Sequence, residues 1–156
     1  MIINTAYFSF DCPDNTTLQA LEEDGVPGFL GETMLADGTI VGWQFSLIYM
    51  PPIGWQRHFD MLTSTFGDDV EKGENWAICP HPIKVGHSQF SPHPTMCMWR
   101  GEKTYMCIIT ADIYSGDWSV PARKLISGIM SSVSFNLVEN MPVMEPGVPF
   151  PLILTV

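Results

Sequence analysis

The sequence predicts a single α+β domain in which an antiparallel β-sheet is covered by two or three helices. Three patterns carry that expectation. Val41, Trp43, Phe45, Leu47 and Tyr49 alternate with Gly42, Gln44 and Ser46, the period-2 pattern of a strand with one buried face. Trp55, Phe59, Leu62 and Phe66 recur at helical spacing, as do Ala122, Leu125, Ile126, Ile129, Met130 and Val133. Strand-like runs fill the middle of the chain while the helical stripes stand apart, an order that suits helices layered on an antiparallel sheet. A length of 156 residues fits one domain, and 46% hydrophobic against 15% charged residues excludes a disordered chain.

Taken in order, residues 6–12 read as an aromatic strand ended by Pro13. Thr16 or Thr17 caps a short helix running to Asp24, with Leu18 and Leu21 facing inward, and residues 25–28 form a turn. A hairpin follows: a strand over 29–35, a turn at Asp37-Gly38, and the alternating strand over 41–49. Residues 55–66 form a helix stopped by Gly67, and 68–75 a charged loop. Short strands over 76–79, 83–90 and 95–99 are punctuated by Pro80, Pro82, Pro92 and Pro94, and a turn at 100–103 leads into a strand over 104–111. Ser119 caps the last helix, residues 119–131, with Pro121 in its first turn, where a missing N–H is harmless. A strand over 132–138 closes the domain at residue 139, and residues 140–156 are a Pro-rich extended tail.

Charge and motifs narrow the chemistry mainly by exclusion. Seventeen Asp and Glu against seven Lys and Arg give a net charge of −10, which repels nucleic-acid phosphate. No apolar run reaches the roughly 20 residues of a membrane span, and the opening residues lack the basic and apolar regions of a secretory signal, so the expected location is the cytoplasm. Cys12, Cys79, Cys97 and Cys107 are widely spaced among apolar neighbours and read as free thiols. Cys79, His81, His87, His93 and Cys97 are the sharpest metal candidate, yet their spacings lack the C-x₂₋₄-C pair that lets two thiolates grip one ion. His87 and Ser88 are adjacent and would point to opposite faces of a strand, and no G-x-S-x-G elbow exists. Asp112 and Asp117 lack the glutamate and spacing of a calcium loop, and no phosphate-cradling glycine motif is present. The expectation is a protein that is not an enzyme, with no metal and no cofactor.

Two features point to a protein partner. The first 56 residues hold seven acids and no Lys or Arg, so Glu22, Glu23, Asp24, Glu32 and Asp37 are candidates to steer and pair with a basic surface. Trp43, Tyr49 and Trp55 are candidate apolar anchors. Ten methionines add soft, adaptable surface, and Met141, Met144 and Phe150 of the tail are candidates for docking onto another chain.

The run Tyr7-Phe8-Ser9-Phe10-Asp11-Cys12-Pro13, the strand Ile83-Lys84-Val85-Gly86-His87 and the helix ending in Ile129-Met130-Ser131-Ser132-Val133-Ser134-Phe135 resemble the DcrB/PsbP-like (DUF1795) superfamily, over residues 6–138. The resemblance implies a twisted antiparallel sheet packed by helices and a non-catalytic binding role. Its cytoplasmic members include chaperones associated with type VI secretion effectors. The leading functional expectation is therefore a binding module of a bacterial toxin or secretion system, specifically an immunity protein that neutralises a toxin. The alternatives are a chaperone shielding hydrophobic effector segments and a small metal-dependent enzyme using His81, His87 and His93. Whether the chain forms a homodimer stays open.

Overall fold

A computed structural model describes residues 1–49, 57, 60, 64, 70–73, 76–79, 84–85, 89–90, 95–100, 105–113, 119–147 and 150–151. The described chain is mostly β, with 52% strand and one helix of defined bounds. In chain order the strands are β1 (Ile2–Asn4), β2 (Phe8–Asp11), β3 (Thr16–Glu23), β4 (Val26–Met34), β5 (Ile40–Tyr49), β6 (Glu71–Lys72), β7 (Trp76–Cys79), β8 (Lys84–Val85), β9 (Gln89–Phe90), β10 (Thr95–Arg100) and β11 (Tyr105–Ile113). Helix α1 (Val120–Ser131) and β12 (Ser134–Phe135) follow. Seven strands form the main sheet in the order β3-β4-β5-β11-β10-β7-β6, three form a second sheet, β1-β2-β12, and β8 pairs with β9.

Alternation in β5 decides where the core lies. Val41, Trp43, Phe45 and Leu47 are buried on one face, opposite Ile113, Ala111, Ile109 and Cys107 of β11 in antiparallel register. Over that face lies an aromatic layer from β2. The Phe10 ring stacks on Phe45 at 4.5 Å and 15°, the Phe8 ring on Phe45 at 5.0 Å, and Phe29 meets Phe10 edge-on at 5.3 Å. Helix α1 covers the rest, burying Ala122, Ile126, Ile129 and Met130. Burial of each large side chain stabilises the fold by about 1.5–3 kcal/mol before entropy is counted.

α1 forms as the sequence predicts. Ser119 is extended, its Oγ accepts the Ala122 N–H at 3.3 Å, and proline stands in the first turn. At the other end the Ser132 hydroxyl donates to the Ile129 carbonyl at 2.7 Å and accepts the Asp11 N–H at 2.8 Å, tying the helix terminus to β2. Arg123 reaches Glu71 of β6 at 2.8 Å.

The expected cover of two or three helices is corrected by this arrangement. The roof over the main sheet is one helix beside a three-stranded sheet, because Phe8 and Phe10 supply from a strand the apolar layer expected of a helix. Of the predicted helix over 55–66, Arg57, Asp60 and Ser64 are helical and exposed, and the rest lies outside the described residues. The short helix expected over 16–24 is instead β3, paired residue by residue with β4 from Thr16↔Thr33 to Glu23↔Val26. The turn expected at 25–28 falls at Asp24-Gly25, whose φ angles of 50° and 77° are both left-handed, and Val26–Gly28 already belongs to β4. At Asp37-Gly38 only Gly38 has positive φ. That loop closes by the Gly38 N–H to the Leu35 carbonyl at 3.0 Å and the Leu35 N–H to the Thr39 carbonyl at 2.8 Å.

The segment after α1 packs against the chain itself. Met144 is buried in the core, and Met141 and Phe150 pack partly buried against it. The Phe150 N–H donates to the Leu47 carbonyl at 2.8 Å and its carbonyl accepts from Leu47 at 3.0 Å, beside β5 where β4 no longer pairs.

Candidate functional site

The longest edge strand among the described residues is β3, at one end of the main sheet. Eight consecutive antiparallel pairs join it to β4, with no extra residue interrupting the register. Among the described residues nothing pairs with its other side. The two-residue turn makes Glu23 and Val26 a hydrogen-bonded pair, and bonding then alternates along an antiparallel ladder. Glu23, Leu21, Gln19 and Thr17 therefore turn their N–H and C=O groups toward β4. The Met34 N–H donating to the Asn15 carbonyl at 3.1 Å has the same parity. Thr16, Leu18, Ala20 and Glu22 consequently turn theirs outward. Pro27 stands opposite Glu22, at a pair that needs no N–H from it, which explains why a proline is tolerated there.

Side chains along this edge are mostly solvated: Thr17, Gln19, Ala20, Glu22 and Glu23 are exposed, and Leu18 and Leu21 half-buried. The acidic candidates divide between two ends of the hairpins. Glu22, Glu23 and Asp24 cluster at the β3–β4 turn, whereas Glu32 and Asp37 lie toward the β4–β5 turn. The nine residues of β4 separate the two turns by roughly 27 Å. Asp37 serves its own loop, accepting the Thr39 N–H at 2.9 Å, and that bond holds its carboxyl below the ordinary range. Asp11 and Asp14 accept from the Met1 amine at 3.2 and 3.3 Å.

The predicted apolar anchors fare unevenly. Trp43 is 2% exposed, and its indole N–H donates to the Thr33 hydroxyl at 3.0 Å, so it is a core residue and meets no partner. Its buried position follows from the inward phase of β5. Tyr49 is half-buried, its ring 5.1 Å from that of Tyr105. Trp55 lies outside the described residues. Met144 is taken up by the core, and Met141 and Phe150 by its margin, so the tail residues are engaged within the chain.

His81, His87 and His93 also lie outside the described residues. Cys79 and Cys97 sit on the adjacent strands β7 and β10, and Cys12 and Cys107 are free and buried. Among the described residues no group of three or more His, Cys, Asp or Glu could hold a metal ion. Glu32 and Asp112 both register with Gly42, on the sheet face opposite the aromatic layer, and one buried Asp112 oxygen has no hydrogen-bond partner. Two carboxylates without a third ligand do not make a metal centre. No helix among the described residues is long and apolar enough to cross a membrane.

Sequence reasoning missed the β3 edge because it read those residues as a helix. One signal could have found it. Asp24-Gly25 is flanked by Thr-Thr-Leu-Gln-Ala-Leu-Glu-Glu and Val-Pro-Gly-Phe-Leu-Gly-Glu-Thr-Met, a second Asp-Gly hairpin beside the one at Asp37-Gly38. Comparison with known proteins returns no match to a family model, a curated protein or a solved structure.

Proposed function

We propose that this chain is a non-catalytic protein-binding module, an immunity protein of the cytoplasm that neutralises a toxin by covering its basic surface. The observation that carries the reading is the charge of the first 56 residues, seven acids with no Lys or Arg, with Glu22, Glu23 and Asp24 exposed together at one end of the main sheet. A surface of one sign accelerates encounter with a partner of the other, and the acceleration falls with salt. The DcrB/PsbP-like resemblance belongs to the same non-catalytic class. A chaperone for apolar effector segments has less support, because Met106, Met130 and Met144 are at most 5% exposed, and among the described residues only Met1 and Met34 are exposed methionines.

Co-purification from the native host with mass spectrometry identifies the partner. Growth of cells expressing that partner then measures neutralisation. Wild-type chain protects, and the E22K/E23K/D24K variant loses protection while remaining folded. The association rate falls by at least about tenfold from low to high salt. Full protection by the charge-reversed variant, together with a salt-independent rate, refutes the reading.

A further inference from the structure

We propose that β3 is a strand-acceptor edge, to which an extended, lysine- or arginine-bearing segment of the partner adds as an eighth strand of the main sheet. The inference rests on the binding reading above and specifies how the contact is made.

Geometry supplies the first argument. β3 is eight residues long, whereas β6 at the opposite edge has two. Folded proteins blunt long edges with Pro, Lys, a bulge or a covering element, since an open edge is a template for pairing. β3 carries no Pro, its two charges, Glu22 and Glu23, are confined to its turn end, and its register with β4 has no bulge. Among the described residues nothing pairs with the outward N–H and C=O groups of Thr16, Leu18, Ala20 and Glu22, which offer eight hydrogen-bonding positions along one edge. An incoming extended segment satisfies them with its own backbone, the mode by which strands are added to open sheets.

Charge selects the occupant. Glu22 and Glu23 lie on β3 itself and Asp24 follows directly, with no Lys or Arg anywhere in residues 1–56. Lys or Arg on an added strand pairs across from the Glu22 carboxylate, and opposite charges facing each other across strands stabilise the pairing. A second copy of this chain brings another net −10 to the same edge and is disfavoured by it.

The experiment follows backbone amide exchange by NMR in the full ¹⁵N-labelled chain. The probe is the blocked peptide Thr-Lys-Val-Lys-Thr-Lys-Val-Thr, with a counterpart in which glutamate replaces each lysine. In the free chain the amides of Thr16, Leu18, Ala20 and Glu22 exchange freely, while those of Thr17, Gln19, Leu21 and Glu23 are protected. The basic peptide slows the four outward amides by at least about tenfold, and the acidic one leaves them unchanged. Ala20→Pro removes one outward N–H without touching the β4 ladder and abolishes this protection. Should that variant fail to fold, Ala20→Lys keeps the backbone intact and weakens the effect through like charge. Three results overturn the proposal. The first is peptide-induced shifts at Glu22 and Asp24 with no protection of the four amides. The second is protection in peptide-free protein that rises with protein concentration, which assigns the edge to a second copy. The third is toxin neutralisation lost in E22K/E23K/D24K and fully kept in Ala20→Pro, which refutes strand addition while leaving the binding reading intact.

Discussion

Replacing Gly31 by alanine tests whether the aromatic core is built around a missing side chain. Gly31 of β4 lies between Leu18 of β3 and Trp43 of β5 in one row across the sheet. The Trp43 indole occupies the space above it, so an added Cβ falls 2.7 Å from Cδ2 and closer still to Cε2 and Cζ2. The ring cannot slide away freely. Its N–H is held by the Thr33 hydroxyl, which shares a hydrogen bond of 2.7 Å with Thr16, and Phe10 packs edge-on against it at 6.1 Å. Overpacking of this kind costs about 1–3 kcal/mol. Breaking the buried indole hydrogen bond adds about 1–3 kcal/mol. The lower backbone entropy of unfolded alanine returns roughly 0.5–1 kcal/mol. The net loss is about 1–5 kcal/mol, out of a total stability of about 5–15 kcal/mol for a domain of this kind. Tm then falls by roughly 2–20 °C at this chain length.

Urea unfolding followed by circular dichroism measures the change, with the slope expected to stay constant. Two glycines serve as internal controls. Gly38→Ala meets open space but forces alanine to φ +87°, and costs about 1 kcal/mol. Gly128→Ala in α1 meets open space at an ordinary φ, and stabilises by about 0.5–1 kcal/mol. A Gly31→Ala chain within about 0.5 kcal/mol of wild type refutes the packing argument.

Two further outcomes follow from the same structure. Ser119→Ala removes the acceptor for the Ala122 N–H and lowers stability by about 1 kcal/mol, whereas Ser119→Asp restores most of it; equal melting temperatures for all three would discard the cap. Burial pushes the Cys107 thiol well above its ordinary value of 9.0, so the folded chain keeps it protonated after the unfolded chain has lost the proton. Its contribution is therefore complete below about pH 9 and declines as pH rises further, by up to about 1.4 kcal/mol per pH unit. Site-resolved alkylation by mass spectrometry should label Cys107 only as fast as the chain unfolds, and rapid labelling of native protein would contradict its burial.

What could be read from the sequence depended on how strongly each element's surroundings marked it. α1 was legible because Ser119, Pro121 and the Ala122-Ile126-Ile129-Met130 face are local signals that packing reinforces. β5 was legible because Val41, Trp43, Phe45 and Leu47 enter the core at every second position, although Ser46 and Ile48 on the other face are buried as well. β3 was not, since an edge strand open to water has no strict inside and outside, and its leucines at 18 and 21 happen to match helical spacing. A flat pattern of this kind specifies register weakly, leaving the turn at Asp24-Gly25 to set the pairing. The burial of Trp43 was legible in the alternation of β5 and argued against its choice as an anchor; what was hidden is the empty position at Gly31 that its indole needs, a pairing that exists only once β4 and β5 align. The carboxylates failed as one cluster because the length of β4 lies between the two acidic turns.

The small sheet carries a consequence for how the molecule is made. β2 is completed by β12 and by the Ser132 hydroxyl, which bonds the Asp11 amide across 121 residues of chain. Helix α1 and the hairpins β3–β4 and β10–β11 can organise early from near neighbours. Closing β2 against β12 requires a long loop to be drawn shut before any contact rewards it, the property that slows folding in topologies of high contact order. During synthesis Phe8 and Phe10 can meet Phe29 and Phe45 once residue 45 has emerged, but the β12 side of β2 stays unpaired until residue 135 has emerged.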